Sequence, residues 1–183
     1  MVDLLTATLL LDKIDIPPAY VQKGKDLWVE WKTLTLAQER MVDTVSIALV
    51  GKYTDLHDSY LSTIKSLEHS AMRCGRKLNL IWVEAEALEP STSISDPAKY
   101  HKAWHNVCTA NGILIPGGFG SRGTEGMIAA AKWAREHNVP FLGICLGMQI
   151  AVVEYARNVC HMKGNNSPPS LLLLLLLLLG STS

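Results

Sequence analysis

Three short stretches of this sequence hold residues whose types and spacing could do chemistry. The first is Gly143-Ile144-Cys145-Leu146-Gly147, a cysteine framed at plus and minus two by glycine, preceded by an apolar run from Phe141 and followed at once by helix-forming residues. It matches the G-x-nucleophile-x-G pattern of a nucleophile elbow, with a thiol in place of the serine hydroxyl. A strand that turns sharply into a helix holds the nucleophile in a strained backbone conformation, and side chains at the flanking positions would collide with it. The helix then aims unpaired amides and the positive end of its dipole at the sulfur, an arrangement that favours thiolate. A cysteine among apolar residues is more often a buried structural one. That reading is adopted for Cys74, Cys108 and Cys160; the flanking glycines reverse it for Cys145.

The second stretch is Gly117-Gly118-Phe119-Gly120-Ser121-Arg122-Gly123. Gly118, Gly120 and Gly123 satisfy G-x-G-x-x-G between a strand and a helix. A dinucleotide fingerprint, however, belongs to the first strand of its unit, and the next strand should end in an acidic residue. Here the strand is the third and the next one ends in Cys145. The glycines serve better as an oxyanion site, where bare amides approach a substrate closely. The third stretch, Gly51-Lys52-Tyr53, superficially resembles a P-loop. Ser46 stands where the first glycine should be and Tyr53 follows the lysine, so a nucleotide cradle is rejected.

Alternating elements must position these residues. Val45–Val50 reads as a buried strand, and Asp58 or Ser59 is expected to cap a helix whose apolar face is Tyr60, Ile64, Leu67 and Ala71, ended by Gly75. A strand at Leu78–Glu84, a loop at Pro90–Pro97, a helix over 98–108 and a strand at Gly112–Pro116 follow. The next helix presents Met127, Ala130, Ala131 and Ala134, and the one after Cys145 presents Leu146, Ile150 and Val153. Such alternation predicts an α/β fold: a doubly wound, mostly parallel sheet with helices on both faces. Sites in such sheets lie beyond the carboxyl ends of the strands. If the third and fourth strands are neighbours, their ends lie roughly 5 Å apart. A glycine amide and the Leu146 amide could then share one oxygen. The implied chemistry is acyl transfer: thiolate attack on a carbonyl, an oxyanion held by two N–H groups, and a thioester opened by water.

The whole composition narrows the field. The 183 residues suit one domain with a short appendage, and 17 basic against 17 acidic residues leave no net charge, which points away from nucleic acid and from a charged membrane as partners. Four cysteines without a C-x-x-C pair form neither a zinc site nor a disulfide framework, and fit a reducing, cytoplasmic location. The apolar start, Met1 to Leu11, carries Asp3 and no basic n-region, so it is not read as a signal peptide.

The segment Gly143 to Gln149 resembles the nucleophile segment of class I (triad-type) glutamine amidotransferases. Ser46 to Thr54, Asp58-Ser59-Tyr60, Ser66 to His69, and Pro116 to Gly126 together resemble one branch of that family, the CTP synthases. Glu30-Trp31-Lys32 and Glu39-Arg40-Met41 resemble that branch's linker between its synthase and glutaminase domains. The likeness runs over residues 28–167. It implies an incomplete class I amidotransferase-like fold from a two-domain enzyme that aminates UTP to CTP with ATP, using ammonia released from glutamine and passed internally. Matched position by position, Cys145 is the nucleophile, and Gly117 and Leu146 are the oxyanion donors. Gly118, Phe119, Leu146, Gly147, Met148 and Gln149 bind glutamine, Phe119 as an aromatic wall. L-Glutamine and the synthase domain, or full-length homo-oligomeric subunits, are the implied partners. The ATP and Mg sites belong to the missing synthase domain, and no metal or cofactor is expected in this chain.

The resemblance divides the chain into a linker remnant (1–43), a partial glutaminase domain (44–167) and a low-complexity tail (168–183). An independent helical hairpin is the alternative for the first. From Ser167 the family reads Ser-Thr-Glu, whose acid contacts glutamine, whereas this chain follows Ser167 with Pro168-Pro169, then Ser170 and nine leucines. Nine leucines in a helix span roughly 14 Å, about half a bilayer, so the tract reads as an aberrant or alternative end of the coding sequence and not as an anchor. The family's general base, a histidine oriented by a glutamate, is expected to be absent from this chain. None of His57, His69, His101, His105, His137 and His161 sits in its context, although His57 follows the first strand closely enough to approach the pocket. The expectation is a nucleophile half-site with little turnover alone. Two alternatives stand beside it: a non-catalytic fragment that co-assembles with full-length enzyme, and another cysteine hydrolase on the same elbow, against which the 117–126 loop argues.

Overall fold

A computed structural model describes residues 5, 7–10, 13–39, 42–54 and 56–162. The chain separates into a first unit, residues 1–42, and a second that begins at Asp43. The leucine tract and Pro168-Pro169 lie outside the described residues, as do parts of the apolar start. In the first unit the charged stretch with Trp28 and Trp31 forms one helix, α1 (Pro18–Glu39). Pro18 opens it, a position where the missing N–H costs nothing and the ring pre-sets φ.

The second unit is built on four parallel strands, β1 (Thr44–Gly51), β2 (Lys77–Glu84), β3 (Gly112–Ile115) and β4 (Phe141–Gly143), in the order β2-β1-β3-β4. Helix α2 (Leu61–Arg73) carries the chain from β1 outward to β2. Helix α4 (Pro97–Thr109), preceded by the short α3 (Pro90–Ser95), brings it back past β1 to β3. Helix α5 (Thr124–Glu136) leads to β4, and α6 (Leu146–Asn158) follows the elbow. Because crossovers between parallel strands are right-handed, reversing the direction of travel puts later helices on the other face of the sheet. Ala48, Val50, Val83, Ile113 and Ile115 accordingly meet Val107 of α4, Met127 and Ala130 of α5, and Ile150 and Val153 of α6. Leu49 and Leu114, one residue out of phase, meet Ile64 and Leu67 of α2. The doubly wound parallel sheet follows from these two faces.

Three local expectations need correction. Neither Asp58 nor Ser59 caps α2: residues His57–Tyr60 wind a 3-10 turn and Tyr60 takes the cap position. Its ring is drawn into the core and its hydroxyl accepts the amides of Lys52 (3.1 Å) and Tyr53 (3.3 Å). Residues 90–95 of the 90–97 stretch form a helix and not a loop. Pro90 supplies a pre-set first turn, the Thr92 hydroxyl donates to the Glu86 carbonyl (2.7 Å), and Asp96 caps α4 through the Lys99 amide (3.0 Å). Cys74, Cys108 and Cys160 are exposed, not buried. Cys74 closes α2 in a Schellman turn, with Gly75 at φ +66° and the Arg76 amide on the Ala71 carbonyl (2.9 Å). Cys108 sits one residue, hence about 100°, round from Val107, the buried position of α4. Cys160 lies past the end of α6. No helix among the described residues is long and apolar enough to cross a membrane.

Candidate active site

The parallel sheet delivers Lys52, Gly117 and Cys145 to one rim, because β1, β3 and β4 all end there. Adjacent β3 and β4 pair Ile115 with Gly143, so the two turns leave neighbouring strands side by side. The Ile144 amide extends the ladder by one rung, donating to the Ile115 carbonyl at 2.9 Å. The chain then reverses at Cys145, whose φ of 52° and ψ of −103° lie where L residues rarely sit. Backbone strain of this kind persists only where the surroundings over-determine it.

The glycines supply that constraint. A Cβ on Gly143 would come within 2.4 Å of the Gly147 backbone, and one on Gly147 within 2.1 Å of the Ile115 carbonyl oxygen. Helix α6 therefore starts packed backbone to backbone against β3, and no side chain fits between them. Its first residue, Leu146, is buried, and Cys145 is exposed. Among the described residues, the turn's hydrogen bonds use the amides of Ile144, Gly147 and Gln149, the last to the Cys145 carbonyl (3.1 Å), and not that of Leu146. A Cβ on Gly117 would lie 3.6 Å from the Cβ of Cys145, and one on Gly118 3.4 Å from Cδ2 of Leu146. The glycine turn thus abuts both the cysteine and the first residue of α6.

The other residues singled out from sequence are placed as follows. Gly147 is buried against β3, Gln149 is half-buried one turn into α6, and Met148 is exposed. Phe119 is 89% exposed at the crest of the glycine loop. Gly120 and Gly123, at φ +79° and +69°, let the loop fold back into α5, whose Gly126 would put a Cβ 1.9 Å from the Ala85 carbonyl oxygen. His137 stacks on Trp133 with centroids 3.4 Å apart and His101 packs edge-on to Tyr100. The side chain of His57 lies outside the described residues. No group of three metal-binding side chains occurs among the described residues.

Sequence reasoning missed the charged layer beneath the loop. Lys52 is only 4% exposed, and its Nζ donates to the carbonyls of Gly120 and of Phe119 (3.3 Å). Arg122 returns from the loop to donate to the Lys52 carbonyl and pairs with Glu86 (3.1 Å) and Glu84 (3.6 Å) at the end of β2. Burial, reinforced by the Arg122 charge and opposed by Glu89, holds the Lys52 ammonium below the ordinary lysine range. Lys99 also pairs with Glu84, and that hydrogen bond pushes its own pKa up. The available signal was a lysine at the tip of an apolar strand beside the switch point, which the P-loop comparison discarded.

The profile of the family "Glutamine amidotransferase class-I" matches residues 55–169. CTP synthase of Schizosaccharomyces pombe is 65% identical over 154 residues, 84% of this chain and 26% of that enzyme. CTP synthase of Neurospora crassa is 61% identical over 163 residues, 89% and 28%. The chain spans between a quarter and a third of the length of these relatives. Among solved structures, the Trypanosoma brucei CTPS glutaminase domain with bound acivicin superposes with a TM-score of 0.55 at 41% identity, covering 63% of this chain and 42% of that one.

Proposed function

Because the chain belongs to the class-I glutamine amidotransferase family, we propose that its sheet rim is the nucleophile half of a glutamine-hydrolysing site, in a protein whose whole activity is that of a CTP synthase. The observation that supports this reading is that a Cβ added to Gly117 would meet Cys145 and one added to Gly118 would meet Leu146, so the glycine turn lies against the elbow. The Cys145 thiolate attacks the side-chain amide carbon of glutamine. The C–S bond forms as the carbonyl electrons move onto oxygen, and the amides of Gly117 and Leu146 hold that oxyanion. Collapse breaks the C–N bond as the nitrogen takes up the proton that the thiol gave to the general base and leaves as ammonia. Water then gives a proton to that base and opens the thioester to glutamate, the thiolate being set free. Gly118, Gly147, Met148 and Gln149 line the approach, and Phe119 shields it once glutamine is bound.

The general base is proposed to come from outside the residues that build this half-site, which makes turnover by the isolated chain low. General acid–base help is typically worth about 10² to 10⁴ in rate. The synthase domain, with ATP and Mg, is proposed as the consumer of the ammonia. A chloroketone analogue of L-glutamine tests the reading, with the adduct located by peptide mass mapping. The expected result is alkylation of Cys145, slowed by L-glutamine, with exposed Cys74, Cys108 and Cys160 largely spared. Equal labelling of all four thiols, or labelling of Cys145 that glutamine does not slow, would overturn the glutamine site.

A further inference from the structure

The geometry points to Lys52 as the positioning residue that sets the Gly117–Gly120 turn against the first residue of α6, an inference that rests on the glutamine-site reading. Lys52 is fixed before it acts: its amide donates to the buried Tyr60 hydroxyl at 3.1 Å and its carbonyl accepts from Arg122. From that anchor its ammonium reaches under the loop and takes the carbonyls of Phe119 and Gly120. Its stem runs beneath Gly118, where an added Cβ would stand 3.5 Å from Cδ of Lys52 and 3.4 Å from Cδ2 of Leu146. Gly118 is therefore held between the lysine stem and the residue whose amide is the second oxyanion donor.

The loop has little else to hold it. Gly117, Gly118 and Gly120 bring no side chains, and Phe119 is exposed. Arg122 and α5 anchor its far end, so the Lys52 ammonium is what ties the crest of the turn to the sheet. An exposed glycine-rich turn left to itself samples many backbone states, and an oxyanion donor that wanders is worth little. Lys52 contacts neither the sulfur nor the proposed oxyanion; it acts through the loop.

The test compares the full chain with Lys52→Met by hydrogen exchange and by chloroketone labelling. Exchange in residues 117–122 is expected to rise by about tenfold or more while β2 is unchanged. The maximal labelling rate of Cys145 is expected to fall by about tenfold or more, its half-saturating concentration to stay within about threefold, and its rate with iodoacetamide within about twofold. Unchanged exchange in the loop overturns the clamp, whatever the labelling. Loss of glutamine-protected labelling in the unsubstituted chain overturns the glutamine site instead, and leaves exchange to decide the clamp. If Lys52→Met does not fold, Lys52→Gln, too short to reach both carbonyls, must show the same loosening, and normal protection in it refutes the proposal.

Discussion

Gly147→Ala is the sharpest perturbation of the elbow. An alanine Cβ at this position would lie 2.1 Å from the Ile115 carbonyl oxygen, 2.9 Å from its carbonyl carbon and 3.0 Å from its Cβ. Real Cβ atoms essentially never approach within 3.0 Å, so helix and strand must part by about 0.9 Å. The obstructing atoms are backbone, and no side chain can rotate away to make room. Overpacking of this kind costs about 1–3 kcal/mol, which at about 4 °C per kcal/mol for a domain of this size lowers the thermal midpoint by about 4–12 °C. The same displacement carries Cys145 and the Leu146 amide away from the glycine turn. A misplacement of about 1 Å can cost about 10²-fold in rate, so chloroketone labelling of Cys145 should fall by roughly that factor. Differential scanning calorimetry and timed labelling followed by intact-mass measurement read the two effects. Gly75→Ala is the control: its φ is +66° and no atom lies within 4 Å of the new Cβ. It should lose about 1 kcal/mol through left-handed strain and label at the original rate. A Gly147→Ala protein that melts and labels like the parent would refute the backbone-to-backbone packing on which the elbow rests.

Three further outcomes are expected. Cys145→Gly relieves the strained φ of 52°, so it should abolish labelling while raising stability by about 1 kcal/mol in urea titrations; a loss of stability would mean the thiol is held by contacts that the geometry does not contain. Because burial first and Arg122 second depress the Lys52 pKa below 10.5, the unfolded chain binds more protons between the depressed value and 10.5. The lysine's contribution to stability therefore grows as pH rises through that window; unfolding free energy from pH 8 to 10 should climb more steeply in the parent than in Lys52→Met, and parallel slopes would contradict this. Desolvation pushes the Cys108 thiol up although the residue as a whole counts as exposed. Its alkylation by iodoacetamide should be slow at neutral pH and accelerate above pH 9, and rapid reaction at pH 7 would show that the sulfur is fully solvated.

What could be read from the residues alone was whatever is written in periodicity and in backbone constraint. The strands and helices follow from apolar spacing: Ala48, Val50, Ile113 and Ile115 alternate onto one face, and Met127, Ala130, Ala131 and Ala134 line one stripe of α5. The elbow was legible because a strained turn needs glycine at both flanks, and those glycines mark backbone contacts that no other residue allows. The misreadings share a cause. Residue type says that a cysteine tends to be buried, but not that Cys108 falls beside the buried stripe of α4 or that Cys74 and Cys160 fall at helix ends. The Ser and Thr content of Pro90–Pro97 suggests a loop, but a proline at the first helical position and a capping Asp96 outweigh weak propensity. Lys52 stands out in the sequence, but its contact with the loop does not, because it depends on β1 and β3 being neighbours and joins Lys52 to a carbonyl 67 residues away along the chain. A long-range hydrogen bond leaves no periodic trace.

The arrangement separates two tasks that a complete amide-cleaving site must perform. Positioning belongs to β1, β3, β4 and the start of α6, and is enforced by backbone contacts at Gly143 and Gly147 and by the ammonium of Lys52. Proton transfer belongs to whichever base serves the leaving nitrogen, and nothing in the packing of the elbow depends on it. The two separate chemically as well. A chloroketone expels chloride, which leaves unprotonated, whereas an amide expels nitrogen that must first gain a proton. Reactivity toward the chloroketone therefore reports positioning and the supply of thiolate, and glutamine turnover adds to these the proton delivered to the leaving nitrogen. Substitutions at Gly147 and Lys52 should lower both by the same factor. A change that supplies the base should raise the chloroketone rate only as far as it raises the thiolate fraction, and should raise turnover by more.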